Sequence, residues 1–273
     1  MKIVSSGRVL NSSGFYKKKQ RRRRVQLVFV SIGFILLISS LIYFSRHERF
    51  QVGEVVVLGE EVADREKIIS TTKESLTGYY LRIIPKANAF LYPRRAIKEN
   101  LFKEFPRFKS VDLNVKDRTL LVELDERTPF ALYCTNTSLS ECYFIDEDGF
   151  IFAPAPSFSG VVYFLYILKD PVENPLGKRF MTIEEFRPLP RFIETLAVLN
   201  IYPVALEIGD DEYSLVLASG GKIIWRRDNN LALVYANLEA FLSDDNIRAQ
   251  DGFLDKILQL DLRTENKVFY KFK

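Results

Sequence analysis

The sequence predicts an α+β protein behind an N-terminal transmembrane helix. Three observations carry this reading. Residues 25–44 form an uncharged apolar run. Residues 45–127 mix β-branched runs with two stretches of helical period. Residues 128–273 hold many short β-rich runs separated by Gly, Pro and Asp, with amphipathic helical segments between them. The expected organisation is a basic tail at 1–24, a span at 25–44, a small βααββ domain at 45–127 and a mixed β-sheet domain with flanking helices at 128–273.

The span comes first. A helix of about 20 residues rises roughly 30 Å, the thickness of a bilayer's hydrocarbon core. Gln26, Ser31, Ser39 and Ser40 are its only polar side chains. Tyr43 and Phe44 sit where an aromatic belt belongs. A buried core helix of this length seldom lacks charge. A cleaved signal would be shorter and end in a small-x-small site, whereas Ser45-Arg46-His47-Glu48-Arg49 follows here. The tail carries Lys2, Arg8, Lys17, Lys18, Lys19 and the run Arg21 to Arg24, and no acid. Such charge keeps its side of the span in the cytoplasm. That places the chain in the cell membrane as a single-pass protein, N-terminus inside, later domains outside. Nucleic-acid binding and twin-arginine export are weaker readings of the same run. The whole chain is +4, so the part beyond the tail is net acidic.

Composition narrows the chemistry. The 273 residues are 47% hydrophobic, with 22 Phe and 13 Tyr, enough for real cores. One His (His47) and two Cys (Cys134 and Cys142) leave no material for a His/Cys metal site or a histidine-based triad away from the membrane exit. We expect no catalytic residue, no cofactor and no metal ligand, and therefore no enzyme.

In the small domain, 50–58 reads as a strand ending at Gly59. Asp64 is a candidate N-cap for a helix carrying Ile68, Ile69 and Leu76, closed by Gly78. Residues 79–92 read as a loop with apolar pins. Pro93 opens a second helix with the stripe Ala96, Ile97, Leu101, Phe102 and Phe105, stopped by Pro106. Residues 110–116 alternate strictly, Lys116-Asp117-Arg118 turns the chain, and Leu120, Val122 and Leu124 return.

In the second domain, 130–133, 143–145 and 150–152 read as strands. Asp146-Glu147-Asp148-Gly149 between them is a turn in preference to a cation site or carboxylate pair. Pro154-Ala155-Pro156 is a stiff linker, and 161–167 a strand. Thr182 with Glu185 has capping-box spacing, opening a helix to about Asn200 that breaks near Pro188 and Pro190. Strands follow at 204–208, 213–217 and 222–225, with Ser219-Gly220-Gly221 as a tight turn and not a phosphate loop. A helix at 231–242 precedes strands at 257–262 and 267–272. Cys134 and Cys142 flank a polar connection outside the membrane. A disulfide and two unrelated buried thiols both remain open. The sequon at Asn136 carries no weight.

Several of these residues together resemble the FtsQ/DivIB family of bacterial division proteins. They are Val55-Val56-Val57-Leu58-Gly59, Phe105-Pro106, the alternation 111–115, and Leu120 to Glu126-Arg127-Thr128-Pro129. Further matches are Ile145-Asp146 with Gly149-Phe150, Leu260-Asp261-Leu262-Arg263, and Val268-Phe269-Tyr270-Lys271. Phe158-Ser159-Gly160 matches in altered form. The resemblance covers about 17–273 and is weakest between 161 and 200. Lys273 follows the last motif closely, so no long tail is expected after it. The resemblance implies a POTRA domain at 45–127 and an FtsQ/DivIB-like β domain at 128–273. It implies a non-enzymatic bitopic scaffold of the divisome. Its partners would be FtsB-like and FtsL-like single-span proteins, and its role to help control septal cell-wall synthesis. Neither nucleic acid nor a small-molecule substrate is expected.

Lys267, Val268, Phe269, Tyr270 and Lys271 are the candidate partner-binding residues, on a strand that by the resemblance lies at or near a sheet edge. The bland alternative is that this strand only completes the protein's own sheet. The alternative function is a membrane-anchored POTRA-type chaperone or secretion module that binds extended peptides by strand addition. A hydrolase using Asp210-Asp211 or Asp244-Asp245 is weaker still, because those pairs sit between elements where turns favour Asp.

Overall fold

A computed structural model describes residues 13–135, 141–160, 162–250, 252–264 and 267–273. The basic tail's first half, the Asn136 sequon and residues 265–266 lie outside the described residues. The chain is mixed α+β and divides into two compact units. One comprises Met1–Leu58, Arg65–Lys98 and Asp112–Glu123; the other comprises Gly59–Asp64, Glu99–Val111 and Leu124–Lys273.

The first unit begins with helix α1, Ser13–Ser45. Its segment Lys19–Ser45, 27 residues with none of its apolar window buried, is long and apolar enough to cross a membrane. At 1.5 Å per residue it spans about 40 Å. A 3-10 turn follows at Glu48–Phe50, capped by the His47 imidazole accepting from Arg49 N–H. Strand β1 is Glu54–Leu58. The expected strand from residue 50 therefore starts late. Residues 50–52 instead bond to a neighbouring loop, Val52 N–H to Ala87 O at 2.7 Å and Ala89 N–H to Phe50 O at 2.8 Å.

Helix α2, Arg65–Leu76, buries Ile68, Thr72 and Leu76 at fourfold spacing, which puts them on one stripe. Two short strands, β2 (Tyr79–Tyr80) and β3 (Ile84–Pro85), pair antiparallel where a plain loop is expected from sequence. Two residues each carry too little pattern to be seen. Helix α3, Arg94–Glu104, buries Ile97 and Leu101, but Ala96 and Phe102 face solvent, so the buried stripe is narrower than expected. Strands β4 (Phe108–Lys116) and β5 (Thr119–Glu126) form a hairpin. Asp117 and Arg118 both have positive φ, 47° and 69°, the conformation a two-residue hairpin loop demands. The sheet order is β1-β5-β4, with β1 parallel to β5.

The second unit is built on a nine-stranded mixed sheet. Its strands are β6 (Ala131–Cys134), β7 (Cys142–Ile145), β8 (Ile151–Pro154), β9 (Leu165–Leu168), β10 (Pro203–Ile208), β11 (Glu212–Leu217), β12 (Lys222–Arg226), β13 (Ile257–Thr264) and β14 (Lys267–Phe272). The order is β14-β13-β12-β11-β10-β9-β6-β7-β8. Strand β9 is shorter than the expected 161–167, and Val161 lies outside the described residues.

The pairs β6–β9, β9–β10 and β12–β13 are parallel. Parallel neighbours need crossover connections, and helices supply two of them. Helices α4 (Ile183–Phe186) and α5 (Pro188–Thr195), with a 3-10 turn at Leu196–Leu199, link β9 to β10. Thr182 accepts from Glu185 N–H as the N-cap, and its hydroxyl donates to the Glu185 carboxylate at 3.2 Å, so the expected capping-box spacing gives the cap without the reciprocal backbone bond. The chain breaks at Arg187, immediately before Pro188, as a proline inside a helical pattern requires. Helices α6 (Leu231–Leu242), α7 (Asp245–Arg248) and α8 (Phe253–Lys256) link β12 to β13; the last two are too short to read from sequence.

All these helices except the side chains facing water pack on one face of the sheet. Phe186, Leu189, Phe192, Leu196, Val234, Leu238 and Phe253 share one core with Tyr133, Tyr166, Leu206, Leu215 and Trp225. The other face carries a smaller cluster at β6, β9 and β10, around Leu132, Cys134, Ile167 and Ala205, with Phe144, Tyr163 and Val216 packed against it.

Candidate functional site

An open sheet has two edges, and the two here differ. Strand β8 is short, ends in Pro154, and is bonded on its outer side at Ile151, whose N–H donates to Lys178 O and whose carbonyl accepts from Gly177 N–H. Covering an edge in this way blocks further pairing. Strand β14 is longer, has no proline, and pairs only with β13 among the described residues. Its outward N–H and C=O groups are a ready template for one more strand.

The register fixes what each face of β14 shows. Phe269 pairs with Asp261 and Lys271 with Gln259, while Tyr270 pairs with the buried Leu260. Tyr270 and Phe272 therefore lie on the helical side. There they join Phe241 of α6 and Phe253 of α8, with ring centroids 5.4–5.7 Å apart. Tyr270 still exposes 45% of its surface. Phe269 is on the open face and 57% exposed. Lys267 and Lys271 are exposed, and Val268 is half-buried against the core. All five expected partner-binding residues thus lie on one edge strand, but on two faces with different duties. Tyr270 supports the fold as well as lining the edge, whereas Phe269 is placed for contact.

Lys273 closes the end of the strand. Its ammonium donates to Ser219 O at 2.5 Å and Asp255 O at 2.8 Å. On the open face next to Phe269, the Arg263 guanidinium binds Asp261 and reaches Glu212 at 3.0 Å. Hydrogen bonding from Arg263 holds the Asp261 carboxyl below its ordinary value, against the opposing effect of partial burial. The same contact raises Arg263.

The other singled-out residues have local duties. Cys134 and Cys142 face each other across β6 and β7 and form a disulfide. Asp146 is buried, accepts from Asp148 and Phe150 N–H at 3.0 and 2.9 Å, and pairs with Arg127. Gly149 has φ +72°, so the acidic segment is a turn. Asp244 caps α7, and Asp210 pairs with Lys169 at 2.9 Å.

Two residues of the Glu126-Arg127-Thr128-Pro129 match are anchors, a role the sequence does not state. The Glu126 carboxylate accepts N–H groups of Glu61, Val62 and Ala63 at 3.0–3.2 Å. Arg127 lies 4.1 Å from the Phe150 ring centroid. The pair Glu126-Arg127 thus ties two loops to the end of β5, which only the arrangement in space reveals.

No protein-family model and no curated protein matches the chain.

Proposed function

We propose that the chain is a bitopic scaffold of the FtsQ/DivIB type, anchored by α1. In this reading the first globular part is a POTRA domain. The nine-stranded sheet binds the extracytoplasmic segment of an FtsB-like single-span division protein, and through it an FtsL-like partner. The observation that carries the reading is the uncovered β14 edge, set beside a β8 edge that is covered. A partner segment adds a tenth strand by main-chain hydrogen bonds, and alternate side chains give specificity. Phe269 supplies an aromatic anchor of the kind that dominates interfaces. Lys267 and Lys271 favour an acidic partner segment.

The test is binding of the full chain, in detergent, to the outer segment of an FtsB-like protein. Phe269→Ala should weaken binding at least tenfold, an anchor-sized effect of about 1.4 kcal/mol or more, with thermal stability unchanged. Wild-type binding by folded Phe269→Ala and Lys271→Glu variants would remove this edge from the interface.

A further inference from the structure

We infer that the β2–β3 turn is a membrane-seated wedge that enters the lipid headgroup region beside the end of the span. The inference rests on the reading that α1 crosses the membrane.

The turn is tied to the residues where α1 ends. The Asn88 amide is buried and donates to both Ser45 O and Ser45 Oγ, at 3.2 and 3.1 Å. Arg46 Nε donates to Ile83 O at 3.0 Å. Residues 87 and 89 bond to the backbone of residues 52 and 50. The last turn of the helix and the turn at 79–91 therefore move as one piece. If the helix end is at the membrane surface, so is the turn.

Its outward side chains suit that place and no other on this unit. Leu81 is 91% exposed and has φ +47°, followed by Arg82 at +62°. Leu gains nothing from the left-handed region, where Gly or Asn is cheaper. The tight β2–β3 turn, closed by Ile83 N–H donating to Tyr80 O at 2.9 Å, thus carries an apolar side chain at its exposed tip despite that cost. Phe90 is 78% exposed and sits 6.2 Å from Phe50, itself next to the helix end. Tyr79 and Tyr80 flank the tip and are exposed, matching the preference of amphipathic rings for the headgroup level.

The charge agrees. Residues 79–92 contain Arg82 and Lys86 and no acid, and Arg46 and Arg49 lie at the helix exit beside the lone Glu48. Long basic side chains beside an apolar tip bind anionic phospholipid headgroups while their stems stay in the acyl boundary. The wedge fixes how the first unit stands on the membrane, because a helix and a second insertion point together remove its freedom to swivel.

Full-length protein reconstituted in vesicles of phosphatidylcholine and phosphatidylglycerol tests this. One tryptophan is added at a time to the wild-type background, whose single Trp225 is buried and gives a constant signal. Leu81→Trp and Phe90→Trp should each lose more emission to lipid brominated near the headgroup than to lipid brominated near the chain ends. Phe34→Trp, mid-span, should show the reverse order. Quenching of Phe34→Trp by deep bromine with neither Leu81→Trp nor Phe90→Trp quenched overturns the wedge and leaves the span standing. Such a result would assign the exposed turn to a protein partner instead. Absence of quenching at Phe34→Trp overturns the span and the wedge with it.

Discussion

The Arg127 guanidinium lies over the Phe150 ring and donates to the buried Asp146 carboxylate. Asp146 in turn accepts from the amides of its own turn, so one carboxylate holds three donors. Removing Arg127 leaves that charge buried and without its cation, which costs about 3–5 kcal/mol. Arg127→Ala should show this in chemical denaturation. Adding Asp146→Asn should recover part of the loss, because the uncompensated charge is gone. A double variant no more stable than the single one would contradict the account.

Gly59 separates two effects that are often confused. Its φ is +87°, and a Cβ there would lie 2.2 Å from Leu124 O. Gly78 has nearly the same φ, +86°, with nothing within 4 Å. Gly78→Ala should cost about 1 kcal/mol, the strain of a left-handed Ala. Gly59→Ala should cost clearly more, because backbone must shift to admit the methyl group. Equal thermal shifts in the two variants would sink the close-approach argument.

Acid titration tests the Asp261–Arg263 pair. Asp261 is held below the ordinary carboxylate value by Arg263. Its contribution to stability is therefore full above the unfolded value, about 3.9, and is lost as pH falls through the lower folded value. Asp261→Asn should lower stability at neutral pH, where the contribution is full, and flatten the further loss below about pH 4, so that variant and wild type converge in acid, with Arg263→Gln acting alike. An acid limb of unaltered slope in both variants would refute the assignment.

Topology is open to chemical labelling. We propose that the basic residues on the N-terminal side of the apolar segment keep the N-terminus inside. With the native disulfide intact, a cysteine at Ser157 should react with an impermeant thiol reagent in intact cells, and one at Ser5 should not. The reverse pattern would invert the protein and remove an extracytoplasmic partner from consideration.

Much of this fold is legible along the chain because its signals are periodic. The helix at 231–242, the β4–β5 alternation and the final strand all have strong patterns and appear with the expected bounds or close to them. The Thr182 cap and the break before Pro188 are local chemistry and are equally plain. What stays hidden is either too short or too distant. Strands β2 and β3 have two residues each, and α7 and α8 one turn. The roles of Glu126 and Arg127 depend on partners far along the chain, at 61–63 and 146. At the candidate site, the strand and its aromatics can be read in sequence. Which ring is free cannot, because that depends on register against β13: Tyr270 falls among Phe241, Phe253 and Phe272, and Phe269 falls in the open. The covered β8 edge, which makes β14 the open one, is likewise a property of the assembled sheet alone.

The central claim is that β14 accepts a partner's strand. Amide hydrogen exchange of the full chain, with and without the outer segment of an FtsB-like protein, tests it most directly. Strand addition satisfies the outward N–H groups of β14, so exchange within Lys267–Phe272 should slow on binding while the β8 region stays unchanged. Saturating binding with no added protection in β14 would contradict the account.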